Sequence, residues 1–289
     1  MIMKTVLYQL TETSKFMMSF VIVTKKNRCI VVDGGRPLDM PLLKQYVGGR
    51  KIAAWFLTHP HEDHISGFID EFEKNGAKDF DIEKVIYNFP SYSYLSTKID
   101  SAPWPEYFKQ EITGTLLPFE RIEYMLGDRR HVAKQGESFN IDECRIEILY
   151  TAHDGLYSNP MNDSSMVFRI TGDEKSVLFL GDLGPEGGDI LYDESRHLLK
   201  SDIVQMAHHG HMNVGMEVYA AIDPEVCLWC CADWLYNEPE IPSYLEKREF
   251  LRSVGRERMY GTAVTRSWME RLGVKKHLVT MNGTNEINI

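Results

Sequence analysis

No run of apolar residues in this chain approaches the roughly 18 that a membrane-spanning helix requires. Met1 to Leu10 holds a single lysine and no long apolar core, so neither a membrane span nor a cleaved signal is expected. Cysteine is sparse and odd in number: Cys29, Cys144, Cys227, Cys230 and Cys231, the last three bunched in one apolar run. That argues against a disulfide framework and for a reducing cytoplasm. Positive charge is in deficit, with 32 Lys and Arg against 42 Asp and Glu and a net charge of −10. A generally basic nucleic-acid surface is excluded, while a local basic groove is not. There is no P-loop, no dinucleotide fingerprint, no Gly-x-Ser-x-Gly nucleophile, no repeat and no low-complexity linker. With 289 residues, 43% apolar and 26% charged, the chain can build a sizeable core. It reads as a single domain over residues 1–289.

What the chain does have is Thr58-His59-Pro60-His61-Glu62-Asp63-His64. The apolar run Ile52 to Leu57 before it reads as a buried strand, and Ile65 to Lys74 after it as an amphipathic helix. The histidines therefore fall on a strand-to-helix loop. Imidazole and carboxylate are donors that suit zinc, with iron and manganese as competitors. Residues alternating along an extended loop point the same way, so His59 and His61 can share one ion. Asp63 and His64, past the turn, can serve a second. A lone loop histidine would mean little, but so dense a cluster is poorly stabilised without a cation. The pattern H-x-H-x-D-H after an apolar strand resembles the signature of the metallo-β-lactamase superfamily. The resemblance implies an α/β fold, the αββα sandwich of two mixed sheets packed face to face with helices outside.

The rest of the first half is in keeping. Thr5 to Gln9, Met17 to Thr24 and Cys29 to Val32 read as strands, and Leu38 to Val47 as a helix. Asp33, ending the third strand, is either an orienting partner for a ligand histidine or a turn-forming residue. Val85 to Asn88 is a short strand. Phe89 to Pro105, with Tyr92, Tyr94 and Trp104, is turn-rich and forms either a pocket wall or a packed surface loop. Glu106 to Leu126 is helical with breaks near Gly114 and Pro118. A second β-rich block begins at His131, and the β-then-α pattern occurs twice, giving two similar halves.

The second half supplies further donors. Strands are expected at Arg145 to Tyr150, Met166 to Ile170, Ser176 to Leu180 and Asp202 to Ala207, with a helix from Gly188 to Leu199. Asp182 follows Gly181 at a strand tip, placed to bridge two ions. His208-His209-Gly210-His211 follows the last of these strands. His208 is expected to be the ligand, and His209, on the opposite side by alternation, to face substrate together with His211. Cys227-Leu228-Trp229-Cys230 lies in an apolar strand and reads as core packing. Glu238 to Arg258 reads as a charged, solvated helix.

Asn162-Asp163-x-Ser165, then Gly181-Asp182, then His208-His209-Gly210, with a closing strand from Val279 to Ile289, is similar to the metallo-β-lactamase-like domain of ComEC-type competence proteins. The chain departs from that pattern in lacking a channel-forming part and in carrying His211 where serine is usual. It also lacks the Gly-His-x-x-Gly histidine of lactamase and glyoxalase relatives. His153, Asn162 and Asp163 are the candidates for that place, Asp163 standing closer to the position the resemblance suggests. What the resemblance implies is a hydrolase with two divalent ions, zinc first. The ligands would be His59, His61, Asp63, His64, Asp163, Asp182 and His208, with Asp63 and His209 as catalytic groups. A small-molecule or nucleic-acid phosphodiester is the first substrate reading. Alternatives are a carboxylic ester, thioester or lactam, a non-catalytic metal-binding module, and an iron redox protein. The last would be expected to carry a flavodoxin or rubredoxin domain.

Overall fold

The runs that read as strands are apolar because both of their faces are covered. The computed structural model describes residues 4–13, 17–100, 106–152, 159–237 and 261–289. Two mixed sheets of seven strands face each other, as the αββα sandwich requires. The first holds β1 (Val6–Gln9), β2 (Ser19–Val23), β3 (Cys29–Asp33), β4 (Ile52–Phe56), β5 (Val85–Tyr87) and β6 (Arg130–Val132), with β14 (Asn285–Asn288) beside β1. The second holds β7 (Ser138–Ile141), β8 (Cys144–Tyr150), β9 (Val167–Thr171), β10 (Ser176–Phe179), β11 (Ile203–Gln205), β12 (Val226–Trp229) and β13 (Lys276–Val279), in that order. In each sheet an antiparallel stretch passes into a parallel one, from β3 to β6 and from β10 to β13. The two halves thus repeat one plan.

Alternation sorts the side chains. Phe20, Ile22, Ile30, Val32 and Phe56 point inward to meet Ile148, Phe168, Val177 and Phe179 of the other sheet. Phe56 and Phe168 stack at 4.6 Å between ring centres, and Phe168 and Phe179 at 5.1 Å. Truncating such a ring to alanine typically costs about 3–5 kcal/mol. Val21, Val31 and Trp55 point outward beneath α1 (Met40–Val47), α2 (Glu62–Asn75) and α5 (Leu117–Glu123). Leu178, Val204 and Trp229 do the same beneath α6 (Pro185–Ser195), α7 (Met216–Ile222) and α9 (Thr262–Arg271). Among the described residues the remaining α-helices are α3 (Tyr92–Asp100), α4 (Glu106–Glu111) and α8 (Asp233–Tyr236).

Some expectations shift. The helix after the histidine loop begins at Glu62, so Asp63 and His64 lie on its first turn. Glu106 to Leu126 is not broken: a widened π turn, Ile112–Leu116, joins α4 to α5, and Pro118 stands just after it in the first turn of α5. Tyr92 and Tyr94 belong to α3 and pack against Leu95, Phe108, Ile112, Leu116 and Met161; Trp104 lies outside the described residues. The expected closing strand is two strands, β13 and β14, in different sheets, joined through a turn at Thr280–Asn282. Cys227 and Cys230 are buried core residues. Glu238 to Arg258 lies outside the described residues. No helix among the described residues is long and apolar enough to cross a membrane.

Candidate metal centre

Four strands of the two sheets end at one edge of the sandwich, and the polar residues of the sequence motifs gather there. Asp33 ends β3. The loop after β4 carries His59 and His61, and the first turn of α2 carries Asp63 and His64. Across the gap, Asp182 follows β10, and His208 and His209 follow β11. The loop and helix are held by backbone bonds. Gly34 and Gly35 donate to the His64 carbonyl at 2.9 and 3.1 Å, and Met18 donates to the Asp63 carbonyl at 3.1 Å. Met166 donates to the Thr58 carbonyl at 2.9 Å, tying the histidine loop to the second sheet.

Two donor groups result, and they share one carboxylate. Asp63, His64, Asp182 and His209 place donor atoms within 4.8 Å of one another, as do His59, His61 and Asp182. His209 Nε2 lies 3.0 Å from Asp63 Oδ2 and 3.4 Å from Asp182 Oδ2. His64 Nε2 lies 3.2 Å from Asp182 Oδ1, and His59 Nε2 3.8 Å from Asp182 Oδ2. The Nε2 atoms of His59, His61 and His64 and Oδ1 of Asp182 are buried and make no hydrogen bond to any described residue. Buried polar atoms are rarely left so, and an absent ligand is a usual reason.

The far sides of the rings are fixed. His64 Nδ1 lies 2.7 Å from Asp33 Oδ2, and His209 Nδ1 lies 2.7 Å from the Cys230 carbonyl. Both contacts place the proton on Nδ1 and leave Nε2 facing the cluster. Asp33 is also held by the Thr58 amide at 2.8 Å and the Thr58 hydroxyl at 2.7 Å. The same hydroxyl lies 3.2 Å from His59 Nδ1. Asp33 is therefore the orienting partner, and its left-handed φ of 52° turns its carboxylate under the loop.

The electrostatics call for a cation. Burial lowers the pKa of His59 well below the ordinary imidazole value, and the charge of His64 adds to this. Burial pushes His64 the same way, but Asp182, Asp33 and Asp63 outweigh it and hold His64 well above. His209 is raised to about 10 against burial by Asp182 and Asp63. Burial raises Asp63 and Asp182, yet the surrounding imidazoles hold both well below the carboxylate range. A bound cation would supply the positive charge that the buried carboxylates otherwise draw onto His64 and His209.

The structure sets some of the sequence candidates apart from where they are expected. The strand before the paired histidines stops at Gln205, and His208 and His209 both turn left-handed, with φ of 47° and 56°. Strand alternation does not apply there. His209 joins the donor group rather than a substrate face. His208 lies outside it, with Nε2 3.9 Å from Asp182 Oδ2 and 3.3 Å from Asn162 Nδ2. His211 packs its ring 4.5 Å from that of His208. Asp163 does not reach the cluster. Its carboxylate accepts the amides of Gly187 at 3.0 Å and Asn159 at 3.1 Å, and burial pushes its pKa up to about 7. It anchors the start of α6 instead. His153 lies outside the described residues.

The small residues of the motifs have steric reasons. A Cβ on Gly181 (φ +56°) would meet Ser165 at 2.9 Å and Thr58 at 3.1 Å, and the Ser165 hydroxyl accepts the Asp182 amide at 3.0 Å. A Cβ on Gly210 (φ +93°) would meet Trp229 at 2.4 Å. Sequence reading missed Thr58, whose hydroxyl links Asp33 to two rings, and Glu111, whose Oε2 lies 3.5 Å from His61 Nε2. Glu111 lies on α4, and nothing in its own sequence neighbourhood marks it. A separate cavity of about 250 Å³, lined by Arg28, Glu83, His131 and Glu137, opens at the opposite end of the sandwich and holds none of the clustered donors.

Residues 17–132 match the family model of the Metallo-beta-lactamase superfamily. Over those residues the chain is similar to that superfamily, and the solved structures extend the likeness of fold to the rest of the chain. That superfamily consists generally of hydrolytic metalloenzymes, with dinuclear metal centres among its members. The chain is similar in fold to the metallo-beta-lactamase fold protein YhfI from Bacillus subtilis, at 11% identity and a TM-score of 0.54, covering 98% of this chain and 100% of that one. It is also similar to CmlA, a diiron beta-hydroxylase from Streptomyces venezuelae, at 12% identity and a TM-score of 0.54, covering 99% of this chain but 54% of that one. A search of curated proteins found no significant match.

Proposed function

We propose that this protein is a hydrolase that works through two divalent metal ions and acts on a phosphodiester. The observation that carries the reading is the shared carboxylate. Asp182 completes a donor group with His59 and His61 and another with Asp63, His64 and His209. In this reading Asp182 bridges, with zinc the first candidate and iron or manganese the others. The donors come from both sheets, which supports treating residues 1–289 as one working unit.

Two ions so held would lower the pKa of a bound water and polarise a phosphoryl or carbonyl oxygen. No serine or cysteine nucleophile is then needed, in accord with the absence of such a motif. Asp63 would orient the attacking water and take up its proton. Asp33, Thr58 and the Cys230 carbonyl keep the imidazoles in the tautomer that offers Nε2. Asn162 and His208, paired at 3.3 Å beside Asp182, form the wall a substrate meets.

The phosphodiester class is supported by the likeness to ComEC-type domains. In that pattern Asn162, Ser165, Gly181 and Gly210 each have a role in the geometry described above. It is also supported by the lack of the Gly-His-x-x-Gly histidine of lactamase-type relatives. Five buried thiols, none of them paired, accord with a reducing, cytoplasmic setting. The test is elemental analysis of protein purified without added metal, followed by assays on phosphodiester, ester and lactam chromogenic substrates before and after chelation. Chelator-sensitive phosphodiester turnover is expected. Metal-dependent turnover of lactam or ester alone would replace the substrate class, and a metal-free protein after reconstitution would overturn the reading.

A further inference from the structure

Among the described residues, the donor group of His59, His61 and Asp182 is one short of the four that a tetrahedral site uses. We propose that Glu111 supplies the missing ligand, a carboxylate delivered by a helix in place of the absent histidine. The proposal rests on the dinuclear reading above.

Glu111 Oε2 lies 3.5 Å from His61 Nε2. Two donors on one tetrahedral ion, each at ~2.1 Å, stand ~3.4 Å apart, so this spacing suits ligands of a common ion. His61 Nε2 is itself buried and makes no hydrogen bond to any described residue. Glu111 stands outside the tight group around Asp182, but its side chain is 39% exposed and has room to swing in.

Its backbone does not share that freedom. The Thr115 hydroxyl donates to the carbonyl of Pro60, the residue between His59 and His61, and lies 2.9 Å from the Glu111 carbonyl. One hydroxyl thus fastens the helical segment to the histidine loop. The π turn Ile112–Leu116 follows Glu111 directly. Such a widened turn is rare and recurs at functional sites. Here it aims Thr115 at Pro60 and buries Ile112 and Leu116 against Leu95, Phe108 and Met161, leaving Glu111 over His61. A helix that served only to cover the sheet would need neither the widened turn nor a buried threonine on the loop. The charge balance agrees: among the described residues this group has Asp182 as its sole carboxylate, shared with a neighbour that also has Asp63.

The test compares apoprotein of the wild type, E111Q, E111H and E106Q, each titrated with zinc by calorimetry and with cobalt by visible absorption. Wild type should bind two ions. E111Q, isosteric and at a partly exposed position, should keep one and bind the other at least ~10-fold more weakly, with a changed cobalt spectrum. E111H should restore the second ion, and E106Q, on the same helix, should match wild type. Two ions in E111Q at wild-type affinity with an unchanged cobalt spectrum would overturn the assignment and leave the dinuclear reading standing. No ion in wild type overturns both.

Discussion

Asp33 Oδ2 and His64 Nδ1 lie 2.7 Å apart with both side chains fully shielded from solvent. The contact fixes the ring, and the Thr58 amide and hydroxyl fix the carboxylate in turn. Asp33→Asn keeps the shape but loses the acceptor that pairs with the imidazole N–H. The expected outcome is a ~10–100-fold loss of affinity for one ion, with the other retained. Zinc titration of the apoprotein checks it, and unchanged affinity for both ions would refute an orienting role.

Asp182 belongs to both donor groups. Asp182→Asn should therefore weaken both ions together and abolish turnover, where any variant confined to one group affects one ion. Metal stoichiometry measured alongside activity decides the matter. Two tightly held ions in this variant would exclude bridging.

His208 and His209 differ in what they touch. His209→Ala removes a donor that faces Asp63 and Asp182, and it should cost an ion. His208→Ala removes a ring that faces Asn162, and it should retain both ions while raising KM. Metal content and steady-state kinetics on the two variants separate these outcomes. The reverse pattern would return the ligand role to His208.

Far from the site, Asp142 joins the β2–β3 turn to the turn before β8. It accepts Arg28 Nη2 at 2.7 Å and the Thr24 hydroxyl at 2.7 Å. The Arg28 hydrogen bond leads in lowering its pKa from the ordinary 3.8 to about 2. The folded-state value is depressed, so its contribution is present above the ordinary value and is lost as pH falls through about 2. Asp142→Asn should cost roughly 1–2 kcal/mol at pH 7. The gap to wild type should close as the pH is lowered from 4 to 2, read by denaturant titration at each pH. A gap that does not change with pH would place the loss in shape rather than charge.

The sheets were readable from sequence because their strands, covered on both faces, show as unbroken apolar runs. Val21, Val31 and Trp55 pack outward as firmly as Phe20, Val32 and Phe56 pack inward. The histidine loop was readable because its donors are close in sequence. The placement of His208 and His209 is not legible in the sequence, because a pair of left-handed residues leaves no signature in residue type and strand alternation ends before them. The setting of Asp163 is not legible either, because a carboxylate that accepts buried amides is the same residue type as one that binds an ion. Glu111 was invisible because what brings it near His61 is a hydrogen bond between Thr115 and Pro60, 55 positions apart.

The gap between the sheets has a consequence for how the protein comes into being. Asp33, His59, His61, Asp63 and His64 are synthesised early and belong to one sheet, while Asp182 and His209 arrive later with the other. On the proposed ligand set, a nascent or half-folded chain has donors but no bridge, and it cannot retain a pair of ions. Capture waits until the two sheets have closed on each other, and from then on the ions act as a rivet across the interface, resisting its reopening.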